Sequence, residues 1–135
     1  MTRVAHAPAW YIRGMSSCDV SVIVPTLNEE RSLPDLLRDL QRQTEVRLEV
    51  LVADGGSDDD TAAIVGSFDF ARVVAGDRGR GRQMNRAARE ALGTYLCFLH
   101  ADTRIPSDAL LGSACHTMAS ARRAAGHDRL AGHFQ

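Results

Sequence analysis

The chain has 135 residues, 44% of them hydrophobic and 24% charged, with a formal net charge of −1. That length suits one domain, able to bury about two thirds of the surface its unfolded chain exposes without a disulfide or metal staple. The near-neutral charge gives no support for nucleic acid as a partner. No run reaches the roughly 20 apolar residues that span a bilayer, although peripheral contact with a membrane surface stays open.

The first seventeen residues, MTRVAHAPAWYIRGMSS, lack the continuous apolar core of a signal peptide. Residues 1–18 are read as a disordered leader and 19–135 as the folded domain, with Met15 as an alternative start. From Asp19 onward, short apolar runs alternate with amphipathic segments. The first run, VSVIV (20–24), is followed by PTLNEE and then by RSLPDLLRDLQRQ. There Leu33, Leu36, Leu37 and Leu40 recur at helical spacing, and Pro34 suits a first turn. LEVLVA (48–53) leads into DGGSDDDT and the short helical pattern TAAIVGSF. ARVVA (71–75) leads into GDRGRGRQ and a helix through GRQMNRAAREAL, with Gly93 placed as its stop. TYLCFL (94–99) leads into HADTR, and a fourth helix follows Pro106 with Ser107 or Asp108 as its cap. Cys97 inside the fourth run reads as a small core residue. Cys18, Cys97 and Cys115 are too widely spaced for a disulfide framework or a Cys-x-x-Cys zinc site, and they fit a reducing cytoplasm.

The apolar runs are mostly continuous rather than alternating, as expected of parallel strands covered on both faces. Strand and helix in alternation predict an α/β fold, a Rossmann-like open, mostly parallel sheet with flanking helices and right-handed crossovers. Ligands in such sheets bind outside the carboxyl ends of the strands. All four polar loops fall on that edge.

Each loop has a bland reading beside a functional one. Ser57, Asp58 and Asp59 suit a helix cap with acids near its positive end. Asp54 stands at the strand end, and Gly55-Gly56 permits close approach to the backbone, which points to ligand contact. The spacing fails the pattern of a calcium loop. Arg78, Arg80 and Arg82 stand among glycines before a helix, where phosphate oxygens are readily bound; the alternative is a solvated basic loop. Neither the dinucleotide fingerprint nor the Walker pattern is present. All 16 basic residues are arginine, so lysine-dependent P-loop and Schiff-base chemistry is excluded. Asp102, if buried at the strand end, needs a cation, donors or water. A hard ion such as Mg²⁺ or Mn²⁺ shared with a diphosphate would satisfy it, and so would a turn bonded to its own backbone. His100 alone fits a structural histidine, and Asn28 and Glu29 alone could merely begin the first helix.

SVIVPTLNEE, VADGGSDDDT and FLHADT, in this order, resemble the nucleotide-sugar-binding half of a family 2 glycosyltransferase of the GT-A fold. RGRGRQMN (78–85) and LHADT (99–103) are similar to the bacterial branch labelled selenodomain-associated transferases. The resemblance covers roughly residues 19 to 106. It implies a nucleotide-diphosphate sugar donor (UDP- or GDP-sugar), an acceptor hydroxyl and a divalent cation, Mn²⁺ or Mg²⁺. It also implies that Pro25, Thr26, Asn28 and Glu29 line the nucleoside pocket and that Asp54 bonds the base. Arg78, Arg82 and Gln83 are expected near the base or diphosphate. His100, Ala101 and Asp102 stand where the family has its DXD motif, with Asp102 as metal ligand. Two positions depart from the pattern: Gly55 stands where many relatives have a second aspartate, and His100 replaces the first aspartate of the DXD motif.

In the family the base that deprotonates the acceptor lies in a later segment, and here the acids after Asp102 are Asp108 and Asp128. The expectation is therefore the donor-binding portion of a longer, metal-assisted, inverting enzyme, incomplete at its C-terminus and cytoplasmic. A non-catalytic nucleotide-sugar-binding module is the alternative. A nucleotidyltransferase is disfavoured by the absence of lysine and of a glycine-rich loop after the first strand.

Overall fold

The computed structural model describes residues 19–126. The expected leader, residues 1–18, and Asp128 lie outside the described residues. Four strands and four helices alternate: β1 (Asp19–Thr26), α1 (Leu33–Gln41), β2 (Arg47–Asp54), α2 (Thr61–Val65), β3 (Ala71–Ala75), α3 (Arg80–Glu90), β4 (Tyr95–Phe98) and α4 (Leu110–Ala125). All pairings are parallel, in the order β3-β2-β1-β4.

Burial follows from that order. β1 and β2 are central, and Val22, Ile23, Val24, Val50, Leu51, Val52 and Ala53 are wholly buried, as two covered faces require. On one face Val22, Val24, Val50 and Val52 pack with the leucines of α1, Val65 of α2 and Leu111 and Cys115 of α4. On the other, Ile23, Leu51, Ala53 and Val74 meet Ala87 of α3.

β4 departs from the expected continuous burial. Tyr95 and Cys97 lie against the first face, and burial pushes the Cys97 thiol up to about 11. Leu96 and Phe98, level with Ser21 and Ile23, turn to the α3 face and remain 45% and 50% exposed. α3 makes its sheet contacts over β1, β2 and β3.

β1, β2 and β3 advance in one direction across the sheet, and the chain then returns to place β4 beside β1. The return helix α3 lies on the opposite face from α1 and α2. Reversing direction and face together keeps one crossover hand. The order therefore switches between β1 and β4, and a crevice is expected outside their carboxyl ends.

Two helix boundaries differ from expectation. α3 ends at Glu90, and Ala91 is already extended, so Gly93 is not its stop. Instead the buried Glu49 carboxylate accepts bonds from Ser21 Oγ (2.6 Å) and Leu92 N (2.7 Å), while Ser21 Oγ accepts the Gly93 N–H (2.8 Å). This polar pair pulls the chain out of the helix. A Cβ at Gly93 would sit 2.6 Å from Ser21 N, so the need for glycine here is close approach. α4 begins at Leu110 after Ala109, later than expected, and neither Ser107 nor Asp108 caps it. Ser107 Oγ accepts the Ala109 N–H in a turn just upstream (3.2 Å).

Candidate functional site

The first two loops are one unit. Asp54 ends β2 almost fully buried, and its Oδ1 accepts the hydroxyls of Thr26 (2.8 Å) and Ser57 (2.5 Å). Its Oδ2 accepts the N–H groups of Gly56 (3.1 Å) and Ser57 (2.9 Å). Burial pushes this carboxyl up, but the four donors outweigh it and leave it below its ordinary value. A carboxylate offers about four acceptor positions, and here all are filled. Asp54 thus organises the turn that follows it. Gly56, at φ +94°, takes the left-handed conformation that glycine tolerates best.

Asn28, in the left-handed region at φ 56°, donates its N–H to Ser57 Oγ (2.8 Å). Its side-chain carbonyl accepts the Asp58 N–H at the same distance, 2.8 Å. Glu29 N donates to Thr61 Oγ1 (3.0 Å) and Glu30 N to Asp59 Oδ2 (3.2 Å), and Asp60 N returns a bond to Glu30 Oε2 (3.1 Å). The Glu29 carboxylate has no hydrogen-bond partner among the described residues. Pro25 is half-buried and Thr26 is buried.

Gln83, one turn into α3, is 4% exposed. Its Nε2 donates to the carbonyls of Thr26 (2.9 Å) and Ala53 (2.7 Å), and its Oε1 accepts the Gly79 N–H (3.0 Å). The amide thus ties the ends of β1 and β2 to the start of α3. Gly55 is part of the same packing, because a Cβ there would stand 2.8 Å from Gln83 Oε1. Arg78, Arg80 and Arg82 are exposed and make no ion pair or hydrogen bond among the described residues. They surround a helix start with no side-chain cap, so cationic groups and orphan N–H donors coincide.

The segment after β4 is a tight turn. Leu99 N continues the ladder to Ile23 O (3.0 Å), and Thr103 N closes on His100 O (3.0 Å). Ala101 is 3% and Ile105 4% exposed within the core, whereas His100 and Asp102 face solvent. Neither side chain has a hydrogen-bond partner among the described residues. Asp102 is therefore not buried at the strand end: the turn buries Ala101 and presents Asp102 outward.

Among the described residues no group of three or more His, Cys, Asp and Glu side chains could enclose a metal. An ion such as Mg²⁺ needs only one or two protein carboxylates, its other positions going to water and substrate phosphate. Asp102 has the required exposed, uncommitted carboxylate, with His100 beside it.

Sequence reasoning missed three contributors. Ser57 and Thr61 join the two loops, and Asp39 of α1, 1% exposed, accepts bonds from Arg104 and from Ile105 N. Asp39 follows Leu36 by three residues on the apolar face of its helix, so an acid at that position was the available signal.

The fold and loops can be set beside known proteins. The profile described as Glycosyl transferase family 2 matches residues 21–122. A PGL/p-HBAD biosynthesis glycosyltransferase of Mycobacterium tuberculosis is 40% identical over 88 residues, covering 61% of this chain and 34% of that protein. The poly(ribitol-phosphate) beta-N-acetylglucosaminyltransferase TarS of Staphylococcus aureus is 31% identical over 102 residues, covering 70% of this chain and 18% of its own length. The crystal structure of TarS residues 1–349 in complex with UDP superposes with a TM-score of 0.68 at 31% identity, over 76% of this chain and 32% of that one. Mannosyltransferase PcManGT from Pyrobaculum calidifontis, in complex with GDP-Man and Mn²⁺, gives 0.64 at 32% identity, over 71% and 31%. The chain thus spans about a third or less of the length of each of these relatives, and across that span it carries the sheet and edge loops of a GT-A fold. It belongs to Glycosyl transferase family 2.

Proposed function

We propose that this chain binds a nucleotide-diphosphate sugar across the carboxyl edge of its sheet, as the donor-binding portion of a metal-assisted, inverting glycosyltransferase. Within the family, RGRGRQMN and LHADT favour the selenodomain-associated branch. The observation that carries the reading is the pairing of an outward, uncommitted Asp102 with three uncommitted arginines on the same edge. The ends of β4 and β3 are three strand spacings apart, about 14 Å. That span suits a nucleoside diphosphate laid with its phosphates toward β4 and its base toward β2 and β3.

Asp102, with His100 adjacent, would hold the divalent cation, which when bound neutralises charge developing on the departing diphosphate. Arg78 and Arg82 supply donors only, so they suit phosphate oxygens or carbonyl acceptors on the base. That agrees with UDP and GDP-Man, the ligands of the two superposed structures, and hence with a UDP- or GDP-sugar as donor. Pro25, Asn28 and Glu29 line the nucleoside pocket. Asp54 and Gln83, whose polar atoms are already committed, act by shaping the pocket floor beneath Gly55. The acceptor contributes a hydroxyl that must lose a proton to a base.

The test is calorimetric titration of UDP and GDP, with and without Mn²⁺, into the chain and into Asp102→Ala. Mn²⁺-dependent binding lost in the variant supports the reading. Binding indifferent to both Mn²⁺ and Asp102 refutes the metal-assisted part, and no binding of either nucleotide refutes the donor site.

A further inference from the structure

The Asp102 turn is short and exposed at its tip, so its position depends on how its two ends are held. The entering end is fixed by the Leu99–Ile23 ladder bond and by Ala101 in the core. The leaving end is fixed by Asp39. Arg104 Nε donates to Asp39 Oδ2 (2.9 Å) and Arg104 Nη2 to Oδ1 (3.3 Å), while Ile105 N donates to Oδ2 (2.9 Å). Arg42 Nη2 adds a bond to Oδ1 (2.5 Å). A second tie lies further along, where Gln43 Nε2 donates to Ser107 O (2.9 Å) and Gln43 Oε1 accepts the Leu111 N–H (3.0 Å).

Asp39 is costly to place there. It is 1% exposed, on the helix face that also buries Leu36 and Leu40, and a buried carboxylate is tolerated only with partners. The bond from Arg104 is the largest influence in holding its carboxyl far below the usual range, so it stays ionised and keeps its grip at all ordinary pH values. Two of its donor residues are two and three positions beyond Asp102, whereas Arg104 itself is 63% exposed and buries little of its own surface. This placement makes sense for a group that orients the chain leaving the turn.

We propose that Asp39 is a positioning residue for the cation-holding turn, acting through Arg104 and Ile105 N to preset the direction in which Asp102 projects. The proposal rests on the reading that Asp102 holds the ion. Partners that orient a ligand without touching the metal typically contribute about 10- to 100-fold in metal affinity.

The variants are Arg104→Met, which removes an exposed guanidinium and leaves the Ile105 bond, and Asp39→Asn. Three measurements are made on each: UDP titration with and without Mn²⁺, amide hydrogen exchange across residues 99–105 without ligand, and the unfolding temperature. The expected result is an Mn²⁺-dependent gain in UDP affinity about tenfold smaller than in the wild type, with Mn²⁺-free binding unchanged and exchange at residues 101–103 accelerated. Arg104→Lys, which keeps the charge without the two-pronged grip, should fall between. A lowered unfolding temperature with wild-type Mn²⁺ dependence would make Asp39 a stabilising residue alone and overturn the proposal, as would an equal loss of binding with and without Mn²⁺. Unchanged exchange in Arg104→Met would overturn the clamp itself, even if Asp39→Asn fails to fold. Accelerated exchange in a protein whose wild type ignores Mn²⁺ would instead locate the failure in the reading of Asp102, and the positioning role would fall with it.

Discussion

Gln83 allows a sharp test of how the edge is built. Replacing it with alanine deletes two donors and one acceptor at a position 4% exposed, leaving Thr26 O, Ala53 O and Gly79 N without that partner. Thr26 O retains the Gly55 N–H at 3.0 Å and Ala53 O stays in the parallel β1–β2 ladder, so the losses are the partner of Gly79 N and the second bond at each carbonyl. Each buried group left unsatisfied costs about 1–3 kcal/mol, and water entering the vacated space returns part of that. The expected loss is about 2–4 kcal/mol, or roughly 8–16 °C at about 4 °C per kcal/mol for a domain of this size.

Gln83→Glu separates hydrogen bonding from mere filling of space. Its second carboxyl oxygen would face two carbonyl oxygens, so the ionised form is repelled and the folded-state pKa rises above the ordinary value of about 4.3. The folded protein then binds a proton at pH values where the unfolded chain does not. Stability of this variant must therefore increase as pH falls from about 8 toward about 5. The assay is urea or thermal unfolding of wild type and both variants over that range. A loss below about 1 kcal/mol in Gln83→Ala would refute the account. So would a Gln83→Glu protein whose offset from wild type does not change with pH.

Two other outcomes are expected. Asp39→Asn should be less stable than wild type at neutral pH, with the gap closing in acid. Its folded carboxyl lies below the ordinary 3.8, so its contribution is complete above that value and is lost as pH falls through the lower folded one. Parallel stability curves for the two proteins from neutral pH down to their acid limits would contradict this. Gly93→Ala should cost about 1–3 kcal/mol, since its Cβ would meet Ser21 backbone that cannot swing aside; a denaturation midpoint equal to wild type would show that the turn has more room than the structure gives it.

The architecture was legible where sequence pattern and burial share a cause. Continuous Val, Leu and Ile runs mark β1 and β2 because central parallel strands are covered on both sides. The same pattern misled for β4, since TYLCFL reads as continuously buried although its position at the sheet edge exposes Leu96 and Phe98. Strand order, which the pattern does not encode, decides this. The polar edge was legible as a place, and the loop residues picked out for ligand contact do gather there. What those residues bond to was not legible. The commitment of Asp54 to Thr26 and Ser57, and of Gln83 to two strand ends, spans separations of 28 to 57 residues in all but the Ser57 contact. The early end of α3 belongs to the same class, because it is set by Glu49 and Ser21 from distant strands.

The reciprocal bonds between residues 28–30 and 57–61 carry a consequence for redesign. Because each loop donates to and accepts from the other, neither has an independent conformation to inherit. A transplant meant to change what this edge binds would have to move both segments together, with Asp54 and Thr26 as the splice points at which the exchanged piece meets the sheet. Swapping either one singly would leave mismatched halves and report on the seam instead of on the ligand.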